Sequence, residues 1–202
     1  ANYEAGVKGE LYGGRLNLSA AVFAVKKSGI AVVDESNPGG CTGSLASNDC
    51  YRNGSTLRSK GFELEASGEL SPGWQVMAGY TFVTSRDDEG ETISAETPRH
   101  LFRLSTTYQL PGRWNAFSVG GGVSAQSGYS YKAYDDMSVR MGAPGRAVWD
   151  LRAGYRINKH WSASLNVANA FDKDYYGMVS QIRRGNHYGE PRNVMLTLGG
   201  TL

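Results

Sequence analysis

The sequence contains no long apolar run, and the longest one extends only from Ala20 to Val25. A membrane-spanning helix needs about 18 or more consecutive apolar residues, so helical membrane spans are excluded. Transmembrane strands are not excluded, because each one leaves only a weak, alternating signal. The sequence also lacks an initiator methionine and a signal peptide. We therefore expect the chain to be mature, trimmed or a fragment.

The chain also has a low net charge and few histidines. The net charge is only +2, so no basic excess indicates binding of nucleic acid. The three histidines, His100, His160 and His187, are scattered. Asp87, Asp88 and His187 could in principle meet at the rim as an Asp–His pair, but no motif in the sequence fixes them as a hydrolytic site. A phosphate-binding glycine loop is absent too, because Gly120–Gly122 falls within a predicted strand. The sequence therefore predicts that the chain is not an enzyme and has no cofactor or metal site.

The only two cysteines are Cys41 and Cys50, in a segment rich in glycine, serine and asparagine. Two isolated thiols at this spacing favour one disulfide that closes a loop tip, and they indicate an oxidising compartment. The alternative is two free cysteines. Loop entropy predicts a stabilisation of about 2–3 kcal/mol, confined mainly to that loop.

The strongest positive signal is an alternation of apolar and polar residues with a period of two. In the clearest example, Phe62 and Leu64 lie on one face while Glu63 and Glu65 lie on the other. This pattern predicts a strand with one apolar face. It recurs nine times, at about residues 2–12, 16–25, 62–70, 74–82, 102–110, 117–126, 149–157, 161–168 and 193–202. No stretch shows a convincing helical period.

The connections between these strands alternate strictly in length. Short turns are predicted at 13–14, 71–73, 111–114 and 158–160, and long loops at 27–57, 85–97, 127–146 and 169–190. All long loops then lie at one end, which is typical of outer-membrane barrels. Aromatic residues at strand ends, such as Trp74 and Phe82, predict two interfacial rings. These features favour a transmembrane antiparallel up-and-down β-barrel over a soluble barrel with the same alternation.

Nine strands are an odd number, whereas bacterial single-chain barrels have even numbers. Open sheet edges are also very unfavourable in lipid. We therefore expect residues 1–202 to be the C-terminal part of a larger barrel, with an external start and a periplasmic C-terminus.

Five stretches resemble the C-terminal barrel of TonB-dependent siderophore receptors. They are YEAGVKGEL at 3–11, RSKGFELE at 58–65, TPRHLFRL at 97–104, NVANAFDKDYY at 166–176 and GEPRN at 189–193. The run PRHLF at 98–102 and the turn LPG at 110–112 are most similar to the branch that takes up ferric hydroxamates (coprogen, rhodotorulic acid, alcaligin) and pyoverdine. One departure is Leu202, where family members usually end in an aromatic residue.

The resemblance implies a plugged barrel of about 22 strands, with the plug and earlier strands outside these residues. It implies an outer-membrane receptor, with its long loops outside the cell, that imports a ferric siderophore, most similar to the hydroxamate type. Energy would come from the TonB–ExbB–ExbD complex. The expected surroundings are outer-membrane lipid and lipopolysaccharide, and the barrel is expected to be monomeric. The alternative is a passive porin or a structural barrel with no plug.

A ferric chelate is already saturated by its own oxygens, so its receptor needs aromatic surfaces and hydrogen-bond donors instead of metal ligands. The candidate ligand contacts are Tyr129, Tyr131, Tyr134, Tyr176, Arg183 and Arg184. Tyr175 and His187 lie in the same last loop. The alternative is that these loop tyrosines pack on each other. For the charged residues on the polar face of the strands two interpretations remain. They either pair with the plug or are hydrated charges on the barrel wall that balance each other.

Overall fold

The computed structural model describes residues 1–38, 49–88, 90, 92, 97–132, 138–179 and 185–201. Within these residues it forms thirteen β-strands and one short 3₁₀ helix, Gly112–Trp114. The strands are β1 (Asn2–Leu11), β2 (Leu16–Pro38), β3 (Asp49–Ser71), β4 (Trp74–Arg86), β5 (His100–Gln109), β6 (Phe117–Gln126), β7 (Tyr129–Lys132), β8 (Arg140–Ala143), β9 (Arg146–Arg156), β10 (Trp161–Ala168), β11 (Tyr176–Met178), β12 (His187–Tyr188) and β13 (Asn193–Gly200). No described helix is long and apolar enough to span a membrane.

Nine strands form one antiparallel sheet in the order β1-β2-β3-β4-β5-β6-β9-β10-β13. Apart from β7–β8 and β11–β12, which lie in long connections, each strand therefore pairs with its neighbour in sequence. The prediction of nine antiparallel up-and-down strands is confirmed. We call the end of the sheet with the tight turns the short-turn end and the opposite end the long-connection end.

The cross-strand register keeps apolar residues on one face throughout. Leu64 of β3 pairs with Ala20 on one side and with Tyr80 on the other. Glu65, one residue later, pairs with Ser19 and Gly79. Because cross-strand partners point to the same side, the sheet has one apolar face and one polar face. A shift of one residue in any strand would exchange its two faces.

Both faces are largely accessible, and few side chains are buried. Val7 of β1 is 71% exposed and Leu198 of β13 is 64% exposed. A water-soluble sheet would bury such side chains in a core, whereas a membrane barrel presents them to lipid. The apolar face carries aromatic side chains at both ends. Phe117 stacks on Tyr155 at the short-turn end, with ring centroids 4.5 Å apart, and Phe62 contacts Phe82 at the long-connection end.

The predicted loop at 27–57 is wrong throughout its described part, residues 27–38 and 49–57, which lie entirely in strands. β2 continues to Pro38 and β3 begins at Asp49, so the two strands form a hairpin that extends beyond their neighbours. Both faces of this extension are polar or mixed in sequence. The alternation therefore stops near Val25, although the backbone pairing continues through register shifts after Ser28, Ile30 and Val33.

The predicted loops 127–146 and 169–190 also contain strands. The first holds the β7–β8 hairpin and the second holds the β11–β12 pair. These strands have only two to four residues each, too few for an alternating pattern to be read from the sequence. Cys50, at the start of β3, is buried and disulfide-bonded. Cys41 lies outside the described residues, so the predicted Cys41–Cys50 pairing stays a prediction.

Candidate ligand-binding site at the long-connection end

The last long connection is organised by Asn169, which directly follows β10. Asn169 is only 2% exposed and has a left-handed backbone with φ of 47°. Asparagine tolerates this conformation better than most residues do. The backbone N–H of Asn169 donates to Asp150 Oδ1 at 2.9 Å, and this bond ties the turn to the wall of β9.

The side chain of Asn169 joins two parts of the chain that are distant in sequence. Its Nδ2 donates to the carbonyl oxygen of Lys173 at 2.9 Å and to that of Glu190 at 3.0 Å. Its Oδ1 accepts a hydrogen bond from the N–H of Lys173 at 2.9 Å. Both N–H donors and the oxygen acceptor of this amide therefore have hydrogen-bond partners inside the protein, as a buried amide requires.

A second set of bonds strengthens the same junction. Asp172 accepts from the backbone N–H of Arg192 at 3.1 Å and forms an ion pair with its guanidinium at 3.3 Å. Asn193 donates to the carboxylate of Glu190 at 2.9 Å. Consequently the stretches at 166–176 and 189–193, which are separate in sequence, form one structural unit. This unit holds both ends of the last connection.

An aromatic platform lies directly above this unit. The Arg146 guanidinium carbon is 4.5 Å from the ring centroid of Tyr175, a cation–π contact. Arg146 also donates a hydrogen bond to the carbonyl oxygen of Tyr176. Gly189 lies against the Tyr175 ring and donates its N–H to the Tyr175 carbonyl at 2.7 Å. A side chain at position 189 would overlap the ring.

Tyr176 of β11 and Tyr188 of β12 form the exposed part of the platform. Their rings stack with centroids 4.8 Å apart and an interplanar angle of 18°, and their hydroxyls are 3.4 Å apart. Tyr188 is 74% exposed. The hydrogen bond and charge of Tyr176, with weaker contributions from desolvation and Asp174, raise the pKa of Tyr188 above its ordinary value. The pair thus offers a flat aromatic surface in which the hydroxyl of Tyr188 is held in its neutral form. We call Arg146, Tyr175, Tyr176 and Tyr188 the aromatic platform.

The β7–β8 hairpin forms a second part of the same end. Tyr129 pairs with Ala143, which is buried, and the Arg140 guanidinium donates to Ser130 Oγ at 3.3 Å. The Tyr129 side chain is half-buried. This arrangement positions Tyr129 by backbone pairing.

The structure describes some of the six predicted contact residues and not others. Tyr129 lies in β7 and Tyr176 lies in the aromatic platform. Tyr131 is in β7, but its side chain lies outside what the structure describes, as do residues 134, 183 and 184 entirely. The ligand role of all six stays a prediction. Sequence reasoning did not select Arg146 and Tyr188, since no sequence pattern links positions that meet only across the fold.

The polar face of the sheet bounds a concave space of about 890 Å³. Its lining includes Glu65, Arg103, Asp150, Arg152 and Asn166. Within the described ranges, no group of three or more His, Cys, Asp or Glu side chains is placed to hold a metal ion. Because its lining holds carboxylates, guanidinium groups and an amide, the polar face can offer hydrogen bonds and charges of both signs to a group that occupies this space.

Comparison with known proteins identifies the family. Residues 1–170 match the family model described as "TonB dependent receptor-like, beta-barrel", so the chain belongs to this family of TonB-dependent receptor barrels. The family predicted from the sequence motifs is confirmed.

Two receptors with curated names are similar to the chain. The ferric-pyoverdine 358 receptor of Pseudomonas putida is 38% identical over 205 residues, which cover 98% of this chain and 23% of that protein. The catecholate siderophore receptor Fiu of Escherichia coli is 31% identical over 205 residues, covering 96% of this chain and 24% of that protein. The chain therefore spans about a quarter of the length of these relatives. Both are receptors, in agreement with the prediction that the chain is not an enzyme.

A solved structure shows the same architecture. The ferripyoverdine receptor of the outer membrane of Pseudomonas aeruginosa, bound to ferripyoverdine, superimposes with a TM-score of 0.88 at 37% identity. The superposition covers 98% of this chain and 26% of that receptor.

Proposed function

We propose that the chain is the C-terminal barrel part of an outer-membrane receptor that binds a ferric siderophore and imports it with energy delivered through TonB. The observation that carries this proposal is the aromatic platform at the long-connection end of a sheet that belongs to the TonB-dependent receptor family. In this proposal the long connections are extracellular and residues 193–201 run toward the periplasm. The plug and the earlier strands belong to the rest of the protein.

The chemistry of the platform suits a bulky ferric chelate. The stacked pair of Tyr176 and Tyr188 gives a flat surface for apolar and aromatic groups, and Arg146 supplies a fixed positive charge beside it. Hydroxyl groups that stay neutral near pH 7 donate hydrogen bonds to chelate oxygens without repelling an anion. Tyr129, Tyr131, Tyr134, Arg183 and Arg184 are proposed as further contacts from the same loops.

The siderophore class is part of the proposal. The sequence motifs favour hydroxamate siderophores, but the relatives are named for pyoverdine and catecholate siderophores and do not confirm the hydroxamate type. We therefore propose a pyoverdine-like ferric chelate first, with hydroxamates and catecholates as the comparison set. The other proposed partners are the TonB–ExbB–ExbD complex and the lipid and lipopolysaccharide of the outer membrane, around a monomeric barrel.

The proposal is tested by uptake of radioactive iron in iron-starved cells that carry the full-length protein. We expect saturable uptake of one ferric siderophore, lost when TonB is deleted. The double variant Tyr176→Ala/Tyr188→Ala should weaken uptake affinity about 10- to 100-fold, since two aromatic contacts contribute up to about 3 kcal/mol. Tyr155→Ala, an aromatic variant at the opposite end of the sheet, is the matched control.

A passive porin is the competing function. It predicts iron uptake without saturation and without dependence on TonB, together with ionic conductance through an open lumen. TonB-independent uptake of every chelate tested would contradict the receptor function.

A further inference from the structure

The hydroxyl groups of Tyr176 and Tyr188 lie side by side in the last connection. Their oxygens are 3.4 Å apart, and the two rings are nearly parallel, with an interplanar angle of 18°. Tyr176 is 37% exposed and Tyr188 is 74% exposed, so a ligand from outside can reach the pair. The fold therefore places two phenol oxygens next to each other at an accessible surface.

Hydrogen bonds of the backbone hold both tyrosines in this arrangement. Arg146 donates a hydrogen bond to the carbonyl oxygen of Tyr176. On the facing strand, Gly189 follows Tyr188 and donates its N–H to the Tyr175 carbonyl at 2.7 Å. The two rings are thus positioned from both strands before a ligand arrives. This preorganisation lowers the entropic cost of binding a ligand that engages both oxygens.

The spacing of the two phenol oxygens is close to that of neighbouring ligands on a small octahedral cation. With metal–oxygen distances of about 2.0 Å, such ligands lie about 2.8 Å apart. The oxygens of Tyr176 and Tyr188 would therefore need to approach each other by about 0.6 Å, which a small tilt of two accessible rings provides. Tyrosine is an established iron ligand, as in the haem site of catalase. The pair can thus supply two neighbouring ligands to one ferric ion.

The electrostatic surroundings also allow this role. The pKa of Tyr188 is raised mainly by its hydrogen bond with Tyr176 and to a smaller extent by the charge of Asp174. Without a cation, the Tyr188 phenol therefore stays protonated near pH 7. A bound cation reverses this preference, because it strongly lowers the pKa of the atoms that ligate it. The negative charge of Asp174 then offsets part of the charge of the cation.

We propose that Tyr176 and Tyr188 ligate ferric iron directly when the incoming chelate fills only four of the six coordination positions. This inference rests on the proposed function and names a class of substrate for the aromatic platform. A chelate with six donor atoms leaves no open position, so it meets the platform only through stacking and hydrogen bonds. A chelate with four donor atoms leaves two positions, which water occupies in solution. As the two iron–phenolate bonds form, two water molecules leave the iron and each phenol releases one proton to the solvent.

The test uses the full-length receptor in detergent, with two ferric chelates as probes. Ferric nitrilotriacetate has four donor atoms, and a ferric trihydroxamate has six. We expect ferric nitrilotriacetate to give a visible charge-transfer absorption whose resonance Raman bands shift when the tyrosines are ring-deuterated. The ferric trihydroxamate should give no tyrosine bands. Such bands require an iron–phenolate bond, which a tyrosine that only stacks or donates a hydrogen bond does not form.

The test variant is Tyr176→Phe/Tyr188→Phe, which keeps both rings and removes both oxygens. It should lose the tyrosine bands and bind ferric nitrilotriacetate at least about 100-fold more weakly, since loss of even an outer partner of a metal ligand costs about 10- to 100-fold. Tyr155→Phe, at the opposite end of the sheet, is the matched control and should keep the bands.

Three results would overturn the proposal. They are the absence of tyrosine bands in the unchanged receptor, bands that persist in the double variant, and equal bands with both chelates. If the double variant does not fold, Tyr188→Phe alone decides the question, because loss of one phenolate must reduce the absorption. A receptor that imports a ferric siderophore without showing these bands would disprove direct ligation and leave the proposed function intact. A receptor that binds no ferric siderophore would instead contradict the proposed function, whatever the bands show.

Discussion

Asn169 Nδ2 donates a hydrogen bond to the carbonyl oxygen of Glu190 at 3.0 Å, across 21 residues of chain. This bond closes the base of the last long connection and positions the aromatic platform above the end of β10. The platform therefore depends on a buried amide that makes no direct contact with a ligand in the proposed function.

Removal of this amide should loosen the last connection. Asn169→Ala deletes three side-chain hydrogen bonds at a buried site and puts alanine in a left-handed conformation. We expect the free energy of local opening to fall by about 2–4 kcal/mol. Hydrogen exchange of the amides in 173–178 and 187–193 measures this change.

The control for that experiment is Asn166→Ala, on the polar face of β10 in register with Arg152. It should leave exchange in the last connection unchanged. Equal exchange in Asn169→Ala and the unchanged protein would show that Asn169 does not hold the connection.

The close approach of Gly189 to Tyr175 gives a second prediction. A methyl group at position 189 would overlap the Tyr175 ring, which Arg146 holds on the platform. We expect Gly189→Ala to displace the ring and to weaken ferric siderophore binding about 10-fold, which corresponds to about 1.4 kcal/mol. Titration of the full-length protein with the iron-loaded siderophore measures the effect.

Gly177→Ala, in the neighbouring strand β11, is the matched control. Its added methyl group would lie 3.4 Å or more from its neighbours, which is ordinary contact. Binding as weak in Gly177→Ala as in Gly189→Ala would show that the Tyr175 ring position is not the cause.

Tyr188 should titrate above the ordinary tyrosine range. Tyr176 raises the pKa of Tyr188, so the neutral form of Tyr188 is favoured in the folded protein. The stabilisation is fully present below the ordinary tyrosine pKa and is lost as pH rises through the raised pKa. Tyr176→Phe should bring the pKa of Tyr188 back toward about 10. Nuclear magnetic resonance of ring-labelled tyrosine measures the titration, and an unshifted Tyr188 in the unchanged protein would contradict the stacked geometry.

The disulfide at Cys50 should act locally. Reduction should increase hydrogen exchange at Cys50–Asn53, in the part of β3 that extends beyond β4, by an amount equivalent to about 2–3 kcal/mol. Exchange in Phe62–Leu70 should not change, because neighbouring strands pair with this part on both sides. Peptide mapping under non-reducing conditions should recover Cys41 and Cys50 in one linked fragment. A free thiol at either cysteine would contradict the predicted pairing.

The sequence predicts the membrane part of the fold well because lipid imposes a strict pattern. Within the bilayer each strand must alternate, so the faces of Leu64 and Glu65 follow from their positions alone. From Lys26 onward both strands of the hairpin are polar or mixed in sequence, so the alternation ends although the strands continue. That is why a loop was predicted where β2 and β3 extend.

The candidate site is only partly predictable for a different reason. The richness of the last connection in tyrosine and arginine points to the region that contains the aromatic platform, including Tyr176. The pairing of Tyr176 with Tyr188 and of Arg146 with Tyr175 depends on the turn at Asn169 and on the return of the chain through Glu190. Contacts of this kind join distant positions with no repeating pattern, so they emerge only from the folded chain.

The most direct test is the affinity of the full-length protein for a pyoverdine-type siderophore with and without iron, measured by quenching of intrinsic fluorescence. We expect tight, saturable binding of the iron-loaded form, weaker binding of the iron-free form, and a loss of affinity of about 10- to 100-fold in Tyr176→Ala/Tyr188→Ala. Equal affinity for iron-loaded and iron-free forms across pyoverdine, hydroxamate and catecholate siderophores would contradict the proposed function.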